Sequence, residues 1–453
     1  MEHSTKKKRI HFIAIGGSAM HNLALAMQNI GFEVTGSDDD IFEPAFTRLQ
    51  EAGLLPTEFG WNADRIDENI DVVILGMHAK KDNPELLRAQ ALQLRVVSYP
   101  EFLAEQSASK KRVVIAGSHG KTTTTSIILH VLKYHGVDFD YLVGAQIEGF
   151  DRMVQLSDAP LIIIEGDEYL SSPIDLIPKI HHYRPHISVI TGIAWDHINV
   201  FPTFSNYVSQ FRIFLELHEP NGICFWNAKD DVLQELITSV SSLKTESYTK
   251  LEIDEYKKMR VEEQTFLFPL IGEHNLQNAE AARKVCLSLG ISEIQFFEAF
   301  SSFPGPKKRL QRIWQKNSSY WFLDFAHAPS KLVATIQAVK DWFPNHKVIG
   351  IYELHTFSSL DPDFLPSYAH CMDAANEKII FIDQHTMAKK GRGLLSPEEV
   401  KAAFQNDTLE VCYNTADLEM TFKNLSNTSD EIVLWMSSGN FGGLNLTEFS
   451  KQF

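Results

Sequence analysis

The stretch Arg112-Val113-Val114-Ile115-Ala116-Gly117-Ser118-His119-Gly120-Lys121-Thr122-Thr123-Thr124 decides how this chain folds. Arg112 to Ala116 reads as a strand buried on both faces, as in a parallel sheet. Gly117 to Gly120 is a glycine-rich turn, and Ile127, Ile128, Val131 and Leu132 mark one face of the helix that follows. Strand, turn and helix start together make a phosphate cradle. Glycines let backbone N–H groups face an anion, and the helix N-terminus adds positive potential. Lys121 would bring a mobile charge to the β and γ oxygens, and Thr122 a hydroxyl to Mg²⁺. The usual phosphate loop has glycine where Ile115 stands, so a plain strand–turn–helix junction with a surface lysine is the alternative.

Working outward, Leu161-Ile162-Ile163-Ile164 runs into Glu165-Gly166-Asp167-Glu168, an apolar strand with acids at its carboxyl end. That is where an α/β sheet places a metal-binding carboxylate, although solvated loop acids look the same. Ile187 to Thr191 leads similarly to Asp196-His197. These would emerge on the sheet edge that carries the cradle, which points to a metal or catalytic role for His197; a hydrogen-bonded structural pair is the alternative. Asn275 and Asn278 stand three apart at a helix start, able to read a base edge or simply to cap. Nearer the N-terminus, the strand Ile10 to Ile15 meets Gly16-Gly17-Ser18-Ala19-Met20. Met20, Leu23, Ala24 and Met27 then form a helix face that Gly31 closes. This suits a second pyrophosphate site, with Asp38 ending the next strand where an acid contacts a ribose.

Strands and helical patterns alternate throughout the 453 residues, so the fold class is α/β. At about 150 residues per domain the length predicts three domains. The polar stretch before Lys110 and the break at Phe303-Pro304-Gly305-Pro306 suggest spans 1–107, 108–305 and 306–453. Hydrophobic residues at 44% and charged residues at 22% are those of a globular chain rather than a disordered one. A net charge of −16 argues against a nucleic-acid partner. The four cysteines form no CxxC pair, which fits buried thiols in a reducing cytosol. Lys6-Lys7-Lys8-Arg9 before an apolar stretch imitates a signal peptide, but the stretch is short, holds His11 and ends in glycines. Membrane insertion is not expected.

In order along the chain, these motifs resemble those of the Mur ligases. They are Gly16-Gly17-x-x-Met20, Gly117-x-His119-Gly120-Lys121-Thr122-Thr123, Glu165-x-Asp167-Glu168, Asp196-His197, Gly272-Glu273-His274-Asn275-x-x-Asn278, Gly305-x-x-Lys308-Arg309 and Asp324-Phe325-Ala326-His327-x-Pro329. The resemblance spans essentially the whole chain. It implies a Rossmann-like N-terminal domain, a P-loop central ATPase domain and a Rossmann-like C-terminal domain. The first would hold UDP-N-acetylmuramate through Gly16, Gly17, Ser18, Ala19, Met20 and Asp38. Gly117, Ser118, His119, Gly120, Lys121, Thr122 and Thr123 would grip ATP, Asn275 and Asn278 its adenine, Asp324 its ribose and Arg309 its phosphate region. Thr122 and Glu168 would bind one Mg²⁺ and His197 another. Lys121, His197 and Arg309 would be the catalytic residues.

The family reaction, carried over by resemblance, is cytoplasmic. ATP phosphorylates a carboxylate, and an amine attacks the acyl phosphate to give an amide. His182-Tyr183-Arg184-Pro185, Asn199-Val200-Phe201-Pro202 and Met436 to Gly443 resemble the branch whose amine is the tripeptide L-alanyl-γ-D-glutamyl-meso-diaminopimelate, used in peptidoglycan recycling. The alternatives are L-alanine as the amine, in peptidoglycan synthesis, and a catalytically silent nucleotide-sugar-binding relative. Departures from the pattern are Ala19 for a glycine, Leu170 for an acid, Ala328 for a second histidine, and the arginine-free Glu353-Leu354-His355-Thr356.

Overall fold

The computed structural model describes residues 7–195, 200–255, 257–305, 309–355, 359–360, 364–384, 387, 395–426 and 430–453. The expected site residues Asp196 and His197, and Lys308 beside Arg309, lie outside them.

Three parallel-rich sheets organise the chain, in keeping with the α/β reading. The first holds β1 (Arg9–Ile13), β2 (Glu33–Ser37), β3 (Val72–Leu75) and β4 (Val96–Ser98), all parallel, in the order β2-β1-β3-β4. The second holds β5 (Lys111–Ala116), β6 (Asp140–Leu142), β7 (Val154–Gln155), β8 (Leu161–Glu165), β9 (Ile187–Ile190), β10 (Ile223–Asn227) and β11 (Lys244–Tyr248). Their order is β11-β10-β9-β5-β8-β6-β7, with only the edge strand β7 antiparallel to its neighbour. A separate antiparallel hairpin pairs β12 (Lys258–Val261) with β13 (Gln264–Leu267). The third sheet holds β14 (Gln311–Lys316), β15 (Ser319–Asp324), β16 (Lys347–Glu353), β17 (Glu377–Phe381), β18 (Glu410–Cys412) and β19 (Glu431–Met436). It is ordered β14-β15-β19-β16-β17-β18, with β14 antiparallel.

The apolar runs are central strands because a sheet covered by helices on both faces buries every side chain. Val113, Val114 and Ile115 of β5 and Ile162, Ile163 and Ile164 of β8 are fully buried. β5 sits between β8 and β9, so the chain leaves it towards one side of the sheet and later fills the other. The crevice beyond the carboxyl ends at such a reversal is where α/β sheets bind ligands.

The chain divides into two compact units. One comprises Met1–Phe268 and Leu276–Phe303 and holds the first two sheets and the hairpin; the other comprises Pro269–Asn275 and Pro304–Phe453 and holds the third sheet. All four cysteines are free and buried: Cys224 and Cys286 in the first unit, Cys371 and Cys412 in the second. No helix among the described residues is long and apolar enough to cross a membrane.

Candidate active site

β5 delivers the chain to a turn that only glycine accommodates. Gly117 (φ +113°) and Gly120 (φ +84°) lie in the left-handed region. A Cβ on Gly117 would strike the hydroxyl and amide of Thr191, and one on Gly120 the side chain of Asn278. Asn278 therefore lies against this turn. The helix Lys121–Tyr134 starts at Gly120 with no capping side chain, so its first N–H groups open onto the turn. This is the geometry that accepts a phosphate. Ser118 donates its hydroxyl to Ala194 O at 2.7 Å and accepts from Ala194 N at 2.8 Å, tying the turn to the segment after β9. His119 is exposed; Thr122 and Thr123 are half-buried on the first helical turn.

The three acids after β8 meet three different fates. Glu165 accepts from the Thr122 hydroxyl at 2.7 Å and from Gly144 N at 2.9 Å. Asp167 pairs with Lys179 at 2.5 Å and accepts from Tyr169 N at 2.9 Å. Burial alone would raise its pKa, but the Lys179 ammonium and that N–H outweigh it and hold the carboxyl below its ordinary value. Glu168, only 1% exposed, faces the phosphate turn. It accepts from the Tyr207 hydroxyl at 2.8 Å and lies 3.4 Å from the Lys121 ammonium, which also donates to Gly117 O at 2.5 Å. Tyr207 in turn lies 3.1 Å from the Ser118 hydroxyl.

Lys121, Ser118, Glu168 and Tyr207 thus form one connected group at the tips of β5, β8 and β9. Tyr207 carries no motif, and sequence reading missed it. It arrives on the helix Phe204–Glu216, which the Thr203 side chain caps. The Thr122 hydroxyl rests on Glu165. Among the described residues no cluster of three or more His, Cys, Asp or Glu could hold a metal. A buried carboxylate beside a lysine and a hydroxyl nevertheless suits Mg²⁺, which takes oxygen ligands and keeps waters while bridging phosphates.

The first sheet presents a second glycine turn in the same unit. The helix Ser18–Asn29 starts at Gly17, again with no side-chain cap. Gly16 N donates to Asp38 Oδ2 at 2.7 Å, and Asp39 N donates to Asp38 Oδ1 at 3.0 Å. Burial is the main cause that raises the Asp38 carboxyl to about 6. Ser18 is exposed, Ala19 half-buried and Met20 buried. Two further residues, His21 and Asn22, brace this turn. His21 Nδ1–H donates to Gly17 O at 2.9 Å; its Nε2 then accepts from Asn22 Nδ2 at 2.9 Å. Asn22 Oδ1 accepts from Met153 N at 2.9 Å, which links the turn to β7. Burial lowers the His21 pKa, keeping the neutral ring that this network needs.

The second unit carries Asn275, Arg309 and Asp324. Asn275 Nδ2 donates to Ile271 O at 2.7 Å, and the residue sits inside the helix Glu273–Ser288 rather than at its cap. Arg309 is exposed. Asp324 accepts from Leu310 N at 2.8 Å, Ala326 N at 2.9 Å and the Thr335 hydroxyl at 3.1 Å. Burial raises its pKa against these bonds and the Arg309 charge. Glu353, buried at the end of β16, accepts from Phe441 N at 3.0 Å and from the Ser437 hydroxyl. A Cβ on Gly439 would come within 2.7 Å of its Oε2. The glycine-rich Met436 to Gly443 segment thus wraps around a carboxylate.

Comparison with known proteins places the chain in a family. Residues 9–111 match the Mur ligase family, catalytic domain, and residues 115–286 the Mur ligase middle domain. The UDP-N-acetylmuramate–L-alanine ligase of Caldicellulosiruptor bescii is 30% identical over 84% of this chain and 84% of its own length. Among solved structures, the UDP-N-acetylmuramate:L-alanyl-γ-D-glutamyl-meso-diaminopimelate ligase from Neisseria meningitides is 28% identical, with a TM-score of 0.60 over 66% of this chain and 98% of that one. The UDP-N-acetylmuramate-alanine ligase from Thermotoga maritima, 21% identical with a TM-score of 0.65, shares the fold over 98% of both chains. The chain belongs to the Mur ligase family and is an ATP-dependent ligase of peptidoglycan synthesis.

Proposed function

We propose that this chain joins UDP-N-acetylmuramate to the tripeptide L-alanyl-γ-D-glutamyl-meso-diaminopimelate. The observation that carries the ligase chemistry is the Lys121–Glu168–Tyr207–Ser118 group at the strand tips. What favours the tripeptide is the 28% identity to the Neisseria enzyme, together with the Met436 to Gly443 segment. The reading carries with it a cytoplasmic location and the three-domain division at 107/108 and 305/306.

A carboxylate is a poor acyl donor, because its charge repels nucleophiles and oxide does not leave. ATP supplies the phosphoryl group that makes a leaving group. In this reading Gly117 to Thr123 grip the phosphates through backbone N–H groups, and Lys121 swings from Gly117 O and Glu168 onto the transferring phosphoryl. Glu168 and Thr122 hold Mg²⁺, with His197 at a second ion and Arg309 neutralising the phosphate region. Such groups act by position and electrostatics. Asn275 and Asn278 face adenine and Asp324 the ribose. Gly16 to Met20 hold the diphosphate of the UDP-sugar, and Asp38 its ribose.

L-Alanine as the amine is the second reading, favoured by the name of the 30% identical relative. Phosphate release from ATP, Mg²⁺ and UDP-N-acetylmuramate separates the two when L-alanine and the tripeptide are each supplied as the sole amine. Turnover with tripeptide and little with L-alanine is expected; the reverse transfers the assignment.

A further inference from the structure

A cavity of about 650 Å³ opens in the first unit, away from both glycine turns. It touches Ala26 and Asn29 at the far end of the Ser18–Asn29 helix, and Lys133 near the end of the Lys121–Tyr134 helix. At about 1.5 Å per residue, Lys133 lies roughly 18 Å along the axis from Lys121. The cavity is therefore separate from the phosphate turn.

Its wall is aromatic. Tyr141 and Phe150 meet edge to face at 5.1 Å between centroids, and Phe139 stands 6.5 Å from Phe150. Lys133 is already engaged, donating to Gly149 O at 2.6 Å and lying 4.9 Å over the Phe150 ring. Two donors are not. Tyr141 is 3% exposed, yet its hydroxyl has no hydrogen-bond partner among the described residues. The Arg152 side chain likewise makes no ion pair or hydrogen bond among them. The two are close enough for the Arg152 charge to act on the phenol. Burial, helped by Asp151, nevertheless pushes that phenol up to about 12, so it stays protonated and can only gain by donating to an acceptor.

We propose that this cavity binds a small carboxylate bearing an aromatic ring, its oxygens on Arg152 and the Tyr141 hydroxyl and its ring against Phe139 and Phe150. A guanidinium and a neutral donor match the two oxygens of a monoanion. Asp138 and Asp151, which also line the cavity, work against a doubly charged phosphate. The same acids would welcome an ammonium group on the ligand. The occupant class thus includes aryl carboxylates and aromatic amino acids, and the rim acids favour the latter.

The test is titration of the full chain with 3-phenylpropionate, L-phenylalanine and inorganic phosphate, followed by calorimetry or ligand-observed NMR. Saturable binding of both organic probes is expected, with L-phenylalanine the tighter and phosphate silent. Arg152→Gln should weaken both at least about tenfold and Tyr141→Phe by about ten- to a hundredfold, as for a lost hydrogen bond to a charged group. Arg152→Lys should retain part of the affinity, and ligase turnover without probe should be unchanged in all three variants. No saturable binding of either organic probe overturns the proposal, as does undiminished binding to Arg152→Gln.

Discussion

Glu168 is the residue on which the proposed chemistry turns, and Tyr207 is one of the groups that hold it. Tyr207→Phe keeps the ring, which meets Phe211 edge to face at 5.3 Å, and removes only the hydroxyl that meets Glu168 and Ser118. Activity with Mg²⁺ and ATP should fall about 10- to 100-fold, the usual loss when a partner of a metal-binding carboxylate goes. Lys121→Ala should cost more in kcat, about 10²- to 10³-fold, as for a removed transition-state contact. A Tyr207→Phe enzyme with wild-type kinetics would reduce the hydroxyl to a packing detail. Asp38 gives a pH signature. Its carboxyl titrates near 6 in the folded chain against an ordinary 3.8, so the folded state holds the proton more tightly. That contribution is full below about pH 4 and is lost as pH rises through 6. Asp38→Asn should therefore raise Tm at pH 7 and leave it nearly unchanged at pH 4. A larger gain at pH 4 than at pH 7 contradicts the assignment.

At the scale of elements, Tyr207 depends on the start of its helix. Thr203 accepts from Asn206 N at 3.2 Å, and Thr203→Ala should cost about 1 kcal/mol in chemical denaturation. Loss of turnover beyond that of stability would show that the cap also aims Tyr207. The elements also show what could be read in advance. β5, β8 and β9 were legible because central parallel strands are unbroken apolar runs, and the cradle was legible because glycines must recur where φ turns positive. β11 (Lys-Thr-Glu-Ser-Tyr) and the β12–β13 hairpin were not, since edge and isolated strands face water and need no apolar run. Nor was Tyr207, which reaches the site from a helix 39 residues beyond Glu168, with nothing in its neighbours to announce it. The different fates of Glu165, Asp167 and Glu168 were equally hidden. They depend on Thr122, Lys179 and Tyr207, partners set by packing rather than by spacing.

At the scale of the molecule, two compact units should not melt as one cooperative body. Calorimetry should resolve two transitions. UDP-N-acetylmuramate should raise the one belonging to the unit with the Gly16–Met20 turn, by about 2.7 kcal/mol at a hundred times its Kd. A single transition, or no shift with saturating UDP-sugar, would argue against that division or that site.

The cysteines make the same division accessible without calorimetry. Each unit shields two thiols; burial pushes the Cys224 thiol up to about 12 and raises those of Cys286, Cys371 and Cys412. Alkylating reagents need the thiolate and a path to it. The intact molecule should consequently ignore iodoacetamide, and each residue's modification rate, followed by peptide mass, becomes a clock for the opening of its own half.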